Sequence, residues 1–215
     1  MTTTFLGRPL ARCVMVLGTT SGAGKSWLTT ALCRHYSNQG LKVAPFKAQN
    51  MSNNARVVPG LHGRLGEIGT AQYLQALAAR AMPEVRMNPV LVKPFGERGA
   101  QVVVWGKVDP FLSGLPWKER RPHLEAPVRE ALEGLLAEHD LLVLEGAGSP
   151  VERNLWPDLP NLRVAEWADA KALLVADVDQ AIAEKRGSQY GKIAQRFQPA
   201  GYTRETFAGR TARTL

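Results

Sequence analysis

The stretch RCVMVLGTTSGAGKS, residues 12–26, decides the fold of this chain. Residues 12–17 form a short apolar run that favours a β-strand and ends at Gly18. Residues 25–36, KSWLTTALCRHY, carry apolar side chains at helical spacing before Gly40. The pattern predicts a strand, a glycine-rich loop and a helix in direct succession.

Such a loop presents backbone N–H groups and a helix N-terminus to phosphate groups. Lys25 is expected to reach the β- and γ-phosphates of ATP, and the Ser26 hydroxyl is expected to bind Mg²⁺. The loop departs from the pattern G-x-x-x-x-G-K-[ST] because Thr19 stands five residues before Gly24. A glycine-rich turn with a chance Gly-Lys-Ser is the alternative, which the strand and helix context disfavours. The predicted nucleotide-binding residues are Gly18, Thr19, Thr20, Ser21, Gly22, Ala23, Gly24, Lys25 and Ser26.

The rest of the chain alternates between predicted strands and helices. Further strands are predicted at residues 41–46, 102–105, 141–144 and 171–177, helices at residues 67–82 and 122–139, and a surface loop at residues 110–122. The runs at 141–144 and 171–177 are apolar on both faces, as in buried parallel strands. These patterns predict an α/β P-loop NTPase fold, with a doubly wound, mainly parallel sheet flanked by helices and ligands at the carboxyl ends of its strands.

The composition narrows the class of protein. With 215 residues and 45% hydrophobic content, the chain can bury a sizeable core. Cys13 and Cys33 lie inside apolar segments, so neither a disulfide framework nor a zinc site is predicted, and a reducing cytoplasm fits. No apolar run approaches the roughly 20 residues of a membrane-spanning helix.

The net charge of +8 is concentrated at the C-terminal end. Residues 180–215 contain seven Lys or Arg and two Glu, a surplus of five charges. We predict a P-loop domain at residues 1–179 and a basic tail at residues 180–215. A nucleic-acid-binding arm is the less favoured alternative, because no aromatic interleaving or recognition motif accompanies the charge.

Several polar residues follow the predicted strands. Glu145 comes after a buried run and before Gly146, so its carboxylate is predicted to face the loop as a Mg²⁺ ligand or water-orienting group. Glu67 opens a predicted helix and is either a first-turn acid or a metal ligand. Lys47 is predicted to neutralise phosphate or a substrate carboxylate, against the alternative of a solvated charge; with Lys25 and Glu145 it completes the predicted catalytic set. The predicted substrate-binding residues are Gln49, Asn50, Asn88 and Lys93.

Beyond the loop, whose Gly-Thr start is similar to that of dethiobiotin synthetase and its relatives, five further motifs resemble the cobyric acid synthase family in order. They are PFKAQNMS (residues 45–52), GEIGTAQ (66–72), MNPVLVKP (87–94), GAQV (99–102) and EGAGSPVERNL (145–155). The resemblance covers residues 12–179. It implies a dethiobiotin-synthetase-like domain, a magnesium role for Glu67 and a corrinoid substrate whose carboxylate is activated by ATP and converted to an amide by ammonia.

The chain departs from that family at two places. Gly22 stands where the family usually has an acidic residue, and residues after Asp179 match no family motif. The family's following glutaminase domain carries a nucleophilic cysteine, for which neither Cys13 nor Cys33 is suitably placed. The chain is therefore expected to stop short of that domain and to need ammonia from solution or from a separate glutaminase subunit.

Two other classes of function remain open on these residues. The chain would be a non-catalytic nucleotide-binding remnant of such a synthetase if it lacked turnover. It would be a partitioning-type P-loop ATPase if it used the basic tail on DNA, although such ATPases usually carry a second lysine near the start of the loop and residues 18–24 contain none. A homodimer is also left open.

Overall fold

A computed structural model describes residues 4–5, 8–96, 99–148 and 158–176; the predicted tail at residues 180–215 lies outside them. The strands are β1 (Thr4–Phe5), β2 (Arg8–Pro9), β3 (Arg12–Gly18), β4 (Val43–Phe46), β5 (Gln49–Met51), β6 (Ala55–Pro59), β7 (Leu65–Gly69), β8 (Val90–Phe95), β9 (Gly99–Val104), β10 (Lys107–Val108), β11 (Leu141–Glu145) and β12 (Lys171–Val175). The α-helices are α1 (Lys25–Asn38), α2 (Thr70–Ala78), α3 (Pro110–Gly114), α4 (Trp117–Glu138) and α5 (Val164–Trp167). Short 3₁₀ turns cover Leu61–Gly63 and Val85–Met87, and a π-helical turn covers Leu159–Arg163.

The central sheet has the strand order β12-β3-β11-β4, and every neighbouring pair in it is parallel. Strands β4 and β11 are buried along their whole length and β3 over most of its length, whereas β12 lies at the edge of the sheet and is exposed or half-buried, so the prediction of a buried strand there is wrong. Val16 and Val143 pack with Cys33 of α1 on one face, whereas Met15 and Leu142 belong to the cluster that includes α4 on the other. Helices therefore flank both faces, which confirms the predicted doubly wound α/β fold.

A second sheet has the order β10-β9-β8-β5 and is mixed: β5 runs parallel to β8, and β9 runs antiparallel to β8 and β10. The strands β6 and β7 form a separate antiparallel hairpin. Sequence analysis predicted only residues 102–105 of these two units as a strand. Val90 and Val102 of the second sheet share one hydrophobic cluster with Leu142 of the central sheet, so the two sheets are packed on a common core.

The predicted helix at residues 67–82 starts later than expected. Glu67 lies in β7, and α2 begins only at Thr70. The segment follows the period of a strand, because Gly66 and Ile68 are buried while Leu65 is exposed, and it pairs along its whole length with β6. The alternative interpretation of Glu67 as a first-turn helix acid is therefore wrong.

The predicted surface loop at residues 110–122 is also wrong, because it contains α3 and the first turns of α4. The Asp109 carboxylate accepts a hydrogen bond from the Leu112 N–H, and Pro110 occupies the first helical position, so α3 has a favourable start. Helix α4 continues through Pro122 and Pro127. The two prolines remove two N–H donors from the helix, and burial of its apolar face offsets this loss. The apolar residues on that face are Leu124, Val128, Ala131, Leu132, Leu135 and Leu136.

Candidate nucleotide-binding site

The predicted phosphate loop connects β3 to α1 at the carboxyl edge of the central sheet. Gly24 has φ 96°, a conformation that glycine adopts without strain. Lys25 is only 4% exposed, and its Nζ donates a hydrogen bond of 2.8 Å to the Thr20 carbonyl across the loop. A Cβ on Gly18 would lie 2.9 Å from Lys25 Cγ, so the lysine stem packs directly against the glycine backbone.

The loop has the features of a site for an anionic ligand. The Thr20 hydroxyl oxygen is buried and has no hydrogen-bond partner within the described part of the chain. Such a buried polar atom is costly unless a ligand or water satisfies it. Together with the helix N-terminus and the ammonium group of Lys25, it suits a nucleotide phosphate, so the residues present fit the ligand that the sequence predicts.

The Glu145 carboxylate is where three of the predicted functional residues meet. Glu145 ends β11, and its side chain is 1% exposed. Its Oε1 accepts hydrogen bonds from Ser26 Oγ at 2.9 Å and from Lys47 Nζ at 2.7 Å. Ser26 follows β3 and Lys47 follows β4, so parallel strands of one sheet bring the group together at their carboxyl ends. A carboxylate beside a loop hydroxyl supplies the hard oxygen ligands that Mg²⁺ prefers.

Sequence analysis missed a fourth member of this group. Gln75 of α2 is fully buried, and its Nε2 donates to Glu145 Oε2 at 2.5 Å. The signal in the sequence is weak: α2 turns two glutamines, Gln72 and Gln75, toward the interior while Leu74 and Leu77 are exposed. Glutamines three residues apart lie on one face of a helix, but nothing in the sequence shows that this face is buried.

The three predicted substrate-binding amides are buried, and two of them make hydrogen bonds within the protein. Asn88 is buried; its Oδ1 accepts from the Gly69 N–H, and its Nδ2 donates to the carbonyls of Lys47 and Val90. Asn50 Nδ2 donates to Gln72 Oε1. Gln49 is buried in β5. A substrate role for Asn88, Asn50 and Gln49 stays a prediction, and the contacts of Asn88 favour positioning of the protein backbone.

Glu67 and Lys93, predicted as a metal ligand and a substrate-binding residue, pair with each other. Lys93 Nζ donates to Glu67 Oε1 at 2.9 Å and to Oε2 at 2.7 Å. Among the hydrogen bonds and ion pairs of the described residues, none joins Glu67 to Ser26 or Glu145. Groups of three or more His, Cys, Asp or Glu side chains arranged for a metal ion are likewise absent from the part of the chain that the structure describes. The metal role of Glu67 stays a prediction.

Both cysteines lie in the core. Burial raises the pKa of the Cys13 thiol to about 12 and that of the Cys33 thiol to about 12. At neutral pH both groups are therefore protonated and poorly nucleophilic. This agrees with the prediction that neither one acts as the nucleophile of a glutaminase.

None of the described helices combines the length and apolar character needed to cross a bilayer. The basic residues assigned to the tail fall outside the described ranges, so their alternative role toward nucleic acid stays as the sequence analysis left it.

The parallel sheet, the glycine loop and the lysine packed inside it define a P-loop nucleotide-binding protein. Residues 14–206 match the family model described as "CobQ/CobB/MinD/ParA nucleotide binding domain". The chain therefore belongs to the CobQ/CobB/MinD/ParA nucleotide-binding domain family. The match extends beyond residue 179, after which sequence analysis found no counterpart to a family motif.

Relatives carry the name that the motifs suggested. The chain is 59% identical over 206 residues to the cobyric acid synthase of Methylibium petroleiphilum, covering 94% of this chain and 41% of that protein. It is 63% identical over 171 residues to the cobyric acid synthase of Acidovorax sp., covering 79% of this chain and 35% of that protein. The predicted resemblance is thus confirmed, and the chain spans less than half the length of these relatives.

A solved structure with a more distant likeness is the signal recognition particle 54 kDa protein of Aeropyrum pernix in complex with GDP. It has a TM-score of 0.45 and 16% sequence identity, and it covers 87% of this chain and 33% of that chain.

Proposed function

We propose that the chain binds Mg·ATP at residues 18–26 and uses it to amidate carboxylate side chains of a corrinoid. The observation that carries the proposal is the convergence of Ser26 and Lys47 on the buried Glu145 carboxylate beside the phosphate loop. The identity of about 60% to cobyric acid synthases supports the corrinoid as substrate.

The proposed reaction has two steps. A carboxylate oxygen of the substrate attacks the γ-phosphorus of ATP, the bond to the β–γ bridging oxygen breaks, and ADP leaves. Ammonia then attacks the carbonyl carbon of the acyl phosphate, the carbon–oxygen bond to phosphate breaks, and inorganic phosphate leaves as the nitrogen loses one proton. The products are a corrinoid amide, ADP and phosphate.

The residues contribute charge and position, since phosphoryl transfer requires little covalent chemistry from a protein. Lys25 would lie along the β- and γ-phosphates. Lys47 lies next to Glu145 and would neutralise the phosphoryl group or the incoming carboxylate. Ser26 and Glu145 would hold Mg²⁺, which neutralises phosphate charge when bound. Gly22 and Ser21 are exposed at the loop and leave its outer face open to a ligand.

An ATP-hydrolysis assay with cobyrinic acid a,c-diamide and ammonium tests the function. We expect turnover only when both are present, with no turnover by Lys25→Ala and none when glutamine replaces ammonium. Nucleotide binding without such turnover would instead support the non-catalytic module. Hydrolysis stimulated by DNA, and indifferent to the corrinoid, would support a partitioning-type ATPase.

If glutamine does support amidation, sensitivity to thiol alkylation would show that one of the cysteines is reactive, against the prediction from their raised pKa values. Addition of a separate glutaminase is expected to restore glutamine-dependent turnover by supplying ammonia. Sedimentation of the chain with and without Mg·ATP addresses the homodimer that the sequence leaves open.

A further inference from the structure

We infer that Gln75 is a positioning residue that orients the Glu145 carboxylate toward Ser26 and Lys47. The inference rests on the proposed Mg·ATP site and concerns a residue outside the phosphate loop and outside the set predicted from sequence. The two oxygens of the buried Glu145 carboxylate contact different residues.

Each Glu145 oxygen has its own partners. Oε1 accepts from Ser26 Oγ and Lys47 Nζ, and Oε2 accepts from Gln75 Nε2 at 2.5 Å. A carboxylate held at Oε2 cannot rotate about its terminal bond without breaking that contact. Gln75 therefore keeps Oε1 directed at the loop hydroxyl, where a metal ligand is needed.

The chemistry of Gln75 itself argues against a purely structural role. The residue is fully buried, and its Oε1 has no hydrogen-bond partner among the described residues. An unsatisfied buried acceptor destabilises the fold, so an apolar side chain of similar size would pack at this position without that penalty. The presence of an amide at position 75 is explained by the hydrogen bond that its neutral N–H group donates to the charged Glu145 carboxylate.

A neighbouring buried side chain, Asn88, helps to hold Gln75 next to Glu145. Asn88 accepts from the Gly69 N–H, immediately before α2, and donates to the Lys47 carbonyl. A single buried side chain thus fixes both the start of the helix that carries Gln75 and the backbone of Lys47. Asn88 therefore helps to position both Lys47 and Gln75, the two residues outside the phosphate loop that bind Glu145.

Calorimetric titration of the full chain with AMP-PNP, with and without Mg²⁺, tests the role. We expect Gln75→Met to reduce the Mg²⁺-dependent gain in nucleotide affinity about ten-fold, the usual scale for losing a group that orients a metal ligand. Affinity without Mg²⁺ should stay within about two-fold of wild type, because Gln75 does not belong to the phosphate loop. Gln75→Leu provides a second apolar replacement should the first variant fold poorly.

Gln72→Met is the matched control, since Gln72 is equally buried on the same helix and donates nothing to Glu145. It should leave the Mg²⁺-dependent gain unchanged. In a Glu145→Gln background, adding Gln75→Met should cause no further loss, because both changes remove the same contact.

An unchanged Mg²⁺-dependent gain in both apolar variants, or an equal loss in Gln72→Met, would overturn the positioning role while leaving the proposed nucleotide site intact. A wild-type chain that binds no AMP-PNP would overturn the proposed function and, with it, this inference.

Discussion

The ion pairs Lys47–Glu145 and Lys93–Glu67 combine the same two residue types at the same distance, 2.7 Å, in different surroundings. The side chains of the first pair are 12% and 1% exposed, and those of the second are 23% and 24% exposed. Glu145 is also bound by Ser26 and Gln75, whereas both oxygens of Glu67 accept from Lys93.

Distance alone therefore does not distinguish a buried carboxylate with several partners from a partly exposed ion pair. A buried charge needs several partners to offset its desolvation, and Glu145 obtains them from three separate segments of the chain. Several partners around one buried carboxylate are expected where a protein requires a charge in a fixed position. Glu67 is less buried, and both of its oxygens accept hydrogen bonds from one lysine.

The largest expected effect is the difference between replacing Lys25 of the phosphate loop and replacing Lys93 of the Lys93–Glu67 pair. Lys25→Ala should lower the affinity for AMP-PNP about 100-fold, because it removes a buried ammonium group placed for the phosphates. Lys93→Ala is the matched change outside the loop and should lower affinity less than about three-fold. Calorimetry measures both, and a thermal melt confirms that each variant is folded. Equal affinity in Lys25→Ala and wild type would contradict the assignment of the loop.

The loop and Glu145 could be predicted because their signals are local. A strand, a glycine run and Lys25 follow one another in the chain, and Glu145 ends a run that is apolar on both faces. The carboxyl-edge rule for parallel sheets then places them together without coordinates. Lys47 could be predicted from the same rule, because it follows the end of β4.

Gln75 and the second sheet could not be predicted, since their signals depend on tertiary packing. Gln75 reaches Glu145 from 70 positions away along the chain, through a helix whose apolar side chains partly face solvent. The strand β5 has only three residues, and three of the five residues of β7 are glycine or charged. Their pairing with β8 and β6, rather than their own propensity, makes them strands.

A second prediction compares the two carboxylates directly. Glu145→Gln should reduce the Mg²⁺-dependent gain in AMP-PNP affinity about 30-fold, because an amide neither carries the charge nor accepts through both of its polar atoms. Glu67→Gln should reduce it less than about three-fold. Titrations at several Mg²⁺ concentrations provide the measurement. A comparable loss in both variants would support the sequence-based prediction that Glu67 also contacts the metal and would weaken the contrast between the two regions.

A third prediction concerns the support of the Glu145 region. Asn88→Ala should lower the free energy of unfolding by about 2 kcal/mol, since it leaves the Gly69 N–H and two carbonyls without their buried partner. Asn50→Ala, which removes one described side-chain hydrogen bond, should cost about 1 kcal/mol. Urea unfolding measures both. An Asn88→Ala chain of wild-type stability that loses affinity for the corrinoid would favour the substrate role predicted from sequence.

The smallest expected effect concerns the Lys93–Glu67 pair itself. A double-mutant cycle with Lys93→Met and Glu67→Gln should give a coupling of about 0.5 kcal/mol at low salt, within the range of exposed ion pairs. At about 1 M NaCl, where the Debye length falls to roughly 3 Å, the coupling should fall toward zero, because solvent ions reach a pair with about a quarter of each side chain exposed. The matching cycle through Lys47 and Glu145 should change little with salt, because Glu145 is 1% exposed and counterions cannot approach it. Equal salt dependence of the two couplings would show that solvent reaches both carboxylates alike, and the contrast in burial between Glu145 and Glu67 would then no longer distinguish the two ion pairs.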